Sequence, residues 1–442
     1  MRRIKNKKTN LNLQKIFNIT SFTFILACCI FYGGRFIKLY LENNKTEQIK
    51  VLADTIKENN KNNLRNIKGE YYFYGDEVNN YVKYSNINWR IIKINENNTI
   101  TLSSDNSLTA LAAGENTNYK NSHLNSWLNN QNKDYTGILE NILDNKNKYL
   151  TYTNTCINNI NDTQNIECTT KTTETYITVP SLNDYINTGS NKGFMNNNEY
   201  YYLTNANNEN KLWYVNNEGK IGTSDGTDII GIKPVITIKN TIAVTGGDGS
   251  INNPYTFEEE QNLLGSYVKL GNDIWRIYSI ENENVKLSLN NFLTINNEEV
   301  KYKYSNNGYY HNDTKKDTLA YYLNKDYLNT LSYKDIINEI EYSNGIYNNT
   351  NNYDYTKTLE TKINTKVSLL SIGDIILNTD KTNYFMSTGL SKESNLMYTV
   401  QDNLKVYTKI STNKLNIIPT ISIKKELLTK GIGTLDSPLE VE

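Results

Sequence analysis

The residues with the clearest capacity for recognition chemistry are five aromatics in two short runs: Tyr200, Tyr201 and Tyr202 in "EYYYLTN", and Trp213 and Tyr214 in "KLWYVNNEGKIGT". Aromatic faces stack on sugar rings, and asparagines beside them orient hydroxyls. On neighbouring strands these five side chains would form a glycan-binding surface, although alternate strand positions must also fill a core.

Catalytic chemistry finds less material. The chain has only two histidines, His123 and His311, and their separation of 311 − 123 = 188 sets them beside different neighbours. A Ser-His-Asp site or a histidine zinc site needs that residue at a defined place. No glycine-rich phosphate loop follows a predicted strand. The expectation is a protein that is not an enzyme and needs no cofactor. A cell-wall-acting hydrolase is the catalytic alternative, and it would require a paired acid and base in one cleft.

Metal binding has two candidate stretches, "SDGTDIIG" with Asp225 and Asp228, and "GGDGSIN" with Asp248. Neither supplies the closing glutamate of a twelve-residue calcium loop, so both read as turns and no metal site is expected. Cys156 and Cys168 bound the loop "CINNINDTQNIEC". In an exported chain a disulfide there would be a staple contributing roughly 3 kcal/mol, the alternative being two free thiols.

These residues sit on a repeated framework. "YVKYSNINWRIIKINENNTITLS", residues 81–103, returns as "YVKLGNDIWRIYSIENENVKLS", residues 267–288. Trp89 and Trp275 are 275 − 89 = 186 apart, Pro234 and Pro419 are 419 − 234 = 185 apart, and Pro254 and Pro438 are 438 − 254 = 184 apart. One period running the length of the chain predicts two copies of one domain, 69–258 and 259–442, each with its own core.

Within each copy the pattern predicts antiparallel strands at both ends and helices between them, an α+β fold. Alternation along "NWRIIKI" puts Trp89, Ile91 and Lys93 on one face and Arg90, Ile92 and Ile94 on the other, with the tryptophans as core anchors. Ser122 caps a helix presenting Leu124, Trp127 and Leu128, matched by "DTLAYYLNK" in the second copy. A second helix starts at Ser181 with Asp184 three residues on, a capping box, and "LSIGDIILN" with Ser371 and Asp374 is its partner. The two aspartates are read as caps.

The amino-terminal region is different in kind. Residues 1–15 carry six basic side chains and no acid, a cytoplasmic tail in this reading. Residues 16–34 are uncharged and about 28 Å long as a helix, so a transmembrane helix is predicted over 16–38. A cleaved signal peptide, or lipidation at Cys28, are the alternatives. Residues 39–68 read as a helical stalk, with Ile49, Leu52, Ala53 and Ile56 on one face. The charge asymmetry puts the amino terminus inside and predicts a single-pass plasma-membrane protein with its carboxyl-terminal copies outside. Removing the six basic residues leaves 47 − 6 = 41 basic against 47 acidic side chains, a balance that excludes nucleic acid as a partner. A surface protein or a glycan is expected instead.

The succession "YV…WRI", "S.L..WLN", "SL.DY", an aromatic hairpin, "KPVITIK" and "GDGS…NPY" resembles an uncharacterised domain repeated on exported proteins of low-GC Gram-positive bacteria. Its closing motifs are similar to Fibrobacter-type paralogous domains and, remotely, to the C-type-lectin-like fold shared with formylglycine-generating enzymes. The resemblance implies a surface-displayed binding or adhesion module, and it carries no catalytic residue onto this chain. The second copy departs where Trp213-Tyr214 becomes Met397-Tyr398 and Lys233-Pro234-Val235 becomes Ile418-Pro419-Thr420. The first copy is therefore the better candidate for binding.

Overall fold

The computed structural model describes residues 51–114, 117–129, 143, 145–257, 263–306, 315–343, 362–391, 394–401 and 404–441. Residues 51–442 make one compact unit. The fold is mostly β, 38% strand against 15% helix, with five short α-helices among the described residues. This corrects the α+β expectation: the apolar spacings that read as helices close only one or two turns before strands take over.

Each half builds a seven-stranded and a five-stranded sheet. In the first half the large sheet runs Leu64–Ile67, Glu70–Phe73, Ile87–Ile94, Ile100–Ser104, Val235–Ile238, Leu150–Thr151, with Tyr81–Tyr84 also paired to Ile87–Ile94. The five-stranded sheet runs Ile221–Ser224, Leu212–Val215, Tyr201–Ala206, Ile230–Ile232, Thr109–Leu111. The second half orders its five as Val406–Ile410, Leu396–Val400, Tyr384–Gly389, Lys414–Asn416, Lys301–Lys303. The sequence of neighbours is the same, including one parallel pair inside an otherwise antiparallel sheet. Trp89 and Trp275 are 1% and 0% exposed at matching places in the two large sheets.

The halves share a boundary. Ile376 N donates to Leu108 O at 2.7 Å, and Thr109 Oγ1 to Asp374 O at 2.8 Å. Asn86 Nδ2 reaches Ser266 Oγ at 3.2 Å.

The stalk expectation is overturned by packing. Among the described residues of 39–68, Leu52–Asn59 is helical, and Leu52, Ala53 and Ile56 are 0%, 1% and 0% exposed in the first half's core. Leu52 N donates to Ile242 O at 2.8 Å, and Asn60 Nδ2 to the Tyr255 hydroxyl at 3.2 Å. Leu64–Ile67 is an edge strand of the large sheet. The apolar stripe that suggested an extended rod is the face this segment buries.

Among the described residues no helix is long and apolar enough to cross a membrane. The transmembrane, signal-anchor and single-pass plasma-membrane assignments are accordingly withdrawn; residues 16–38 and Cys28 lie outside the described residues.

Two helix expectations resolve differently. Ser122 Oγ accepts from Asn125 N at 3.1 Å at the start of His123–Asn129, and the Ser181–Asp184 capping box forms on Leu182–Asn187. Its counterpart at Ser371–Asp374 keeps the pairing of side chains without a helix. Gly373 stands there at φ +92°, a left-handed geometry that ends the first turn.

Candidate functional site

A bulge organises the first half's large sheet. Ile91 opposes Leu102 and Lys93 opposes Thr101, leaving Ile92 as the additional residue. Directly opposed residues share a face, so Lys93 stands with Arg90, Thr101 and Ser103 and not with Trp89 and Ile91. This corrects the face assigned by strict alternation.

Lys93 is 6% exposed. Its Nζ lies 2.9 Å from Glu70 Oε2, 3.0 Å from the Tyr72 hydroxyl and 3.5 Å from Asp184 Oδ1. Glu70 and Tyr72 come from the adjacent strand, where Tyr72 opposes Lys93. The Tyr72 hydroxyl donates to Glu70 at 3.0 Å, and Lys171 approaches Glu70 at 3.5 Å. Asp184 serves two structures with its two oxygens: Oδ2 accepts from Ser181 N at 3.1 Å and Ser181 Oγ at 2.7 Å, while Oδ1 faces the lysine.

The charges are mutually held. Burial pushes the Lys93 ammonium down, but Asp184, Tyr72 and Glu70 outweigh it and raise the group above its ordinary value. Burial pushes the Glu70 carboxyl up, and the Lys93 and Lys171 charges with the Lys93 hydrogen bond bring it below its ordinary value. Burial and then Asp184 push Tyr72 well up. The cluster thus favours Lys93 as the ammonium and Glu70 as the carboxylate.

Above this network lies a cleft of about 990 Å³. Glu70, Tyr72, Asn95 and Thr237 line it from the sheet, Asn183 and Asn187 from the helix, and Ile166, Glu167, Cys168 and Lys171 from a loop. Glu96 and Lys68 come from two turns that interlock. Gly69, at φ +88°, has no room for a Cβ, which would meet Glu96 Oε1 at 2.7 Å. Cys156 and Cys168 form a disulfide, Cα to Cα 5.6 Å, that closes the loop on the cleft wall. The loop is tied down further where Asn205 Nδ2 donates to Asn158 O at 2.9 Å. At the rim Tyr152 is 45% exposed and packs against Tyr176, ring centroids 4.7 Å apart.

The aromatic surface expected from Tyr200, Tyr201, Tyr202, Trp213 and Tyr214 does not assemble. Tyr201 and Tyr202 are both 0% exposed, their hydroxyls donating to Met195 O at 3.0 Å and Asp228 O at 2.8 Å. All six residues of Tyr201–Ala206 are buried because the strand is central in its sheet. Trp213 is half-buried, and its Nε1 donates to Ile160 O of the disulfide loop at 2.8 Å. Tyr200 and Tyr214 do stack, centroids 6.4 Å apart, but Lys405 of the second half sits 4.7 Å over the Tyr200 ring.

Composition and period pass over Glu70, Tyr72 and Lys93. One signal was available: a lysine inside the otherwise apolar "IIKI" must find an anion or leave the sheet. The acids in turns behave as turns. Asp225 Oδ1 accepts from Thr227 Oγ1 at 2.7 Å, Asp228 Oδ2 from Ser224 Oγ at 2.8 Å, and Asp248 Oδ1 from Ser250 N at 2.9 Å. Among the described residues no group of three or more His, Cys, Asp or Glu side chains could hold a metal ion. His311 lies outside the described residues.

The second half has a related network from other segments. A bulge at Tyr278 sets Ser279 opposite Lys286. Lys286 Nζ lies 2.7 Å from Glu281 Oε1, and the Tyr342 ring lies 5.3 Å from it. Asp374 accepts from Ser371 N at 2.7 Å and Ser371 Oγ at 2.9 Å. Its burial raises the carboxyl above its ordinary value, because Lys286 and Ser371 offset only part of that push. Tyr342 is 3% exposed and covers this spot.

No family model, no curated protein and no solved structure matches the chain.

Proposed function

We propose that the chain is a non-catalytic binding protein whose first half holds a polar, polyhydroxylated ligand of the glycan class in the cleft above Lys93 and Glu70. The observation that carries this reading is the cleft's lining. Asparagine amides, threonine hydroxyls and carboxylates surround about 990 Å³, with Tyr152 exposed at the rim as a stacking face. The Lys93–Glu70–Tyr72–Asp184 network beneath is closed on itself, so it fixes the floor.

This reading sets the glycan in the cleft, because Tyr201 and Tyr202 are buried in the strand Tyr201–Ala206. A glycan array probed with the full chain and with Tyr152→Ala tests this. The full chain should bind a defined glycan subset, and Tyr152→Ala should weaken that binding about tenfold through loss of one stacking face. An array without binding, or binding indifferent to Tyr152, would contradict the reading.

A further inference from the structure

We infer that the hairpin of Ile340–Ser343 with Lys362–Thr365 is a hinged lid, which swings off the second half's large sheet, uncovers Lys286 and opens a counterpart of the first-half cleft. This goes beyond the binding reading above and does not depend on it.

The first observation is how the hairpin is attached. Its strands form a two-stranded sheet of their own, with Ile340 opposite Thr365 and Tyr342 opposite Ile363. A hairpin of that kind is marginally stable by itself. Its firm ties to the body lie at its two feet. On one arm Asn338 N donates to Ser422 O at 2.8 Å, and Asn338 Nδ2 to Asn284 Oδ1 at 2.9 Å. On the other, Asn324 Oδ1 accepts from Thr365 Oγ1 at 2.8 Å and from Val367 N at 2.9 Å, and Val367–Leu369 then joins the large sheet. Asn338 and Thr365 are therefore the points about which the hairpin turns.

The second observation is the surface underneath. Glu341 and Asn364, opposed on the outer face of the hairpin, are exposed, whereas Tyr342 is 3% exposed and its ring lies 5.3 Å from Lys286 Nζ. The lid thus lays an aromatic ring on a polar floor. Lys286 opposes Ser422 and Ser368 opposes Thr420, which puts all four on one face of the sheet. The buried hydroxyls of Ser368 and Ser422 make no hydrogen bond. A closed lid leaves them unmet and an open one gives them water, so closure rests on packing against a surface that gains from exposure. Over Lys93 the corresponding place is the open cleft.

The test has two arms on the full chain. In native-state hydrogen exchange the amides of Ile340–Tyr342 and Ile363–Asn364 should exchange at least about a hundredfold faster than those of Lys286, Leu287 and Ile421, and their rates should hardly change in low denaturant. In amine acylation read by mass spectrometry, Tyr342→Ala should raise the rate at Lys286, whose side chain is 12% exposed, about tenfold. Lys93, buried in the first half, should keep its slow rate and reports that the variant is folded. The exchange arm uses the unaltered chain and so decides the matter whatever the variant does to the fold.

Hairpin amides that exchange as slowly as the sheet, or with the same denaturant dependence, would overturn the lid, because the segment would then open only with the whole half. A folded Tyr342→Ala chain that labels Lys286 at the original rate would overturn it as well. No glycan enters either arm, so a blank glycan array leaves the lid standing, and a rigid hairpin leaves the cleft reading standing.

Discussion

The two halves of residues 51–442 stand a lysine over the same spot of their large sheets, yet each takes it from a different strand. In the first half Lys93 opposes Thr101; in the second Ser279 opposes Lys286. Lysine and hydroxyl have changed places across one bulged strand pair. What persists is an ammonium near the aspartate of a Ser-Asp pair, Asp184 or Asp374, and what varies is the residue that lends it. The halves then part company in what covers the spot. A disulfide-closed loop stands back from Lys93 and leaves a cleft, whereas the hairpin of Ile340–Ser343 with Lys362–Thr365 lays Tyr342 over Lys286. The comparison teaches that a buried charge follows its partner, while openness depends on the inserted segment.

The largest effect should come from breaking the first network. Lys93→Met leaves Glu70, Tyr72 and Asp184 without their cation, and we expect a loss of about 3–5 kcal/mol in denaturant unfolding. Lys286→Met should cost only about 1 kcal/mol, because its Glu281 partner is 39% exposed and can turn to water. Equal losses would erase the distinction between the halves.

The disulfide comes next. Replacing Cys156 and Cys168 together by serine should cost roughly 3 kcal/mol and reduce ligand binding, since the loop it closes is a cleft wall. The same assay under reducing conditions should reproduce both losses in the unaltered chain.

The exchange can be imposed directly. The double variant Lys93→Ser, Thr101→Lys copies the second half's arrangement, and it should recover more than half of the stability that Lys93→Ser alone loses. Double-mutant analysis reads the coupling between the two positions.

The smallest effect is one of sign with pH. Glu70 is held below its ordinary value, so its stabilising contribution is present above the unfolded-state pKa, about 4.3, and is lost as pH falls through the folded value. Asp374 is raised, so the folded state binds its proton more tightly, and its contribution grows as pH falls through the folded value towards the unfolded one, about 3.9. Thermal melts from pH 7 to pH 3 should show Glu70→Gln flattening the acid loss of stability. Asp374→Asn should steepen it.

Much of the framework was legible in the residues. Trp89 and Trp275 as core anchors, and the Ser122 and Ser181 caps, followed from alternation and capping chemistry, because those depend on near neighbours. The cleft was not, for three physical reasons. A bulge moved Lys93 to the opposite face, and bulges have no fixed composition. Glu70 and Tyr72 lay at the expected boundary of the first copy, on a strand that joins the sheet only when 64–73 folds back on it. Tyr201 and Tyr202 read as an exposed aromatic run because alternation cannot see that both faces of a central strand are covered.

The most direct measurement is the stoichiometry and location of ligand binding on the full chain, by calorimetry with a glycan that the array identifies. We expect one ligand per chain, weakened about tenfold by Tyr152→Ala in the first half and untouched by Tyr342→Phe in the second. Two ligands per chain, or one indifferent to Tyr152→Ala, would contradict a single open cleft above Lys93.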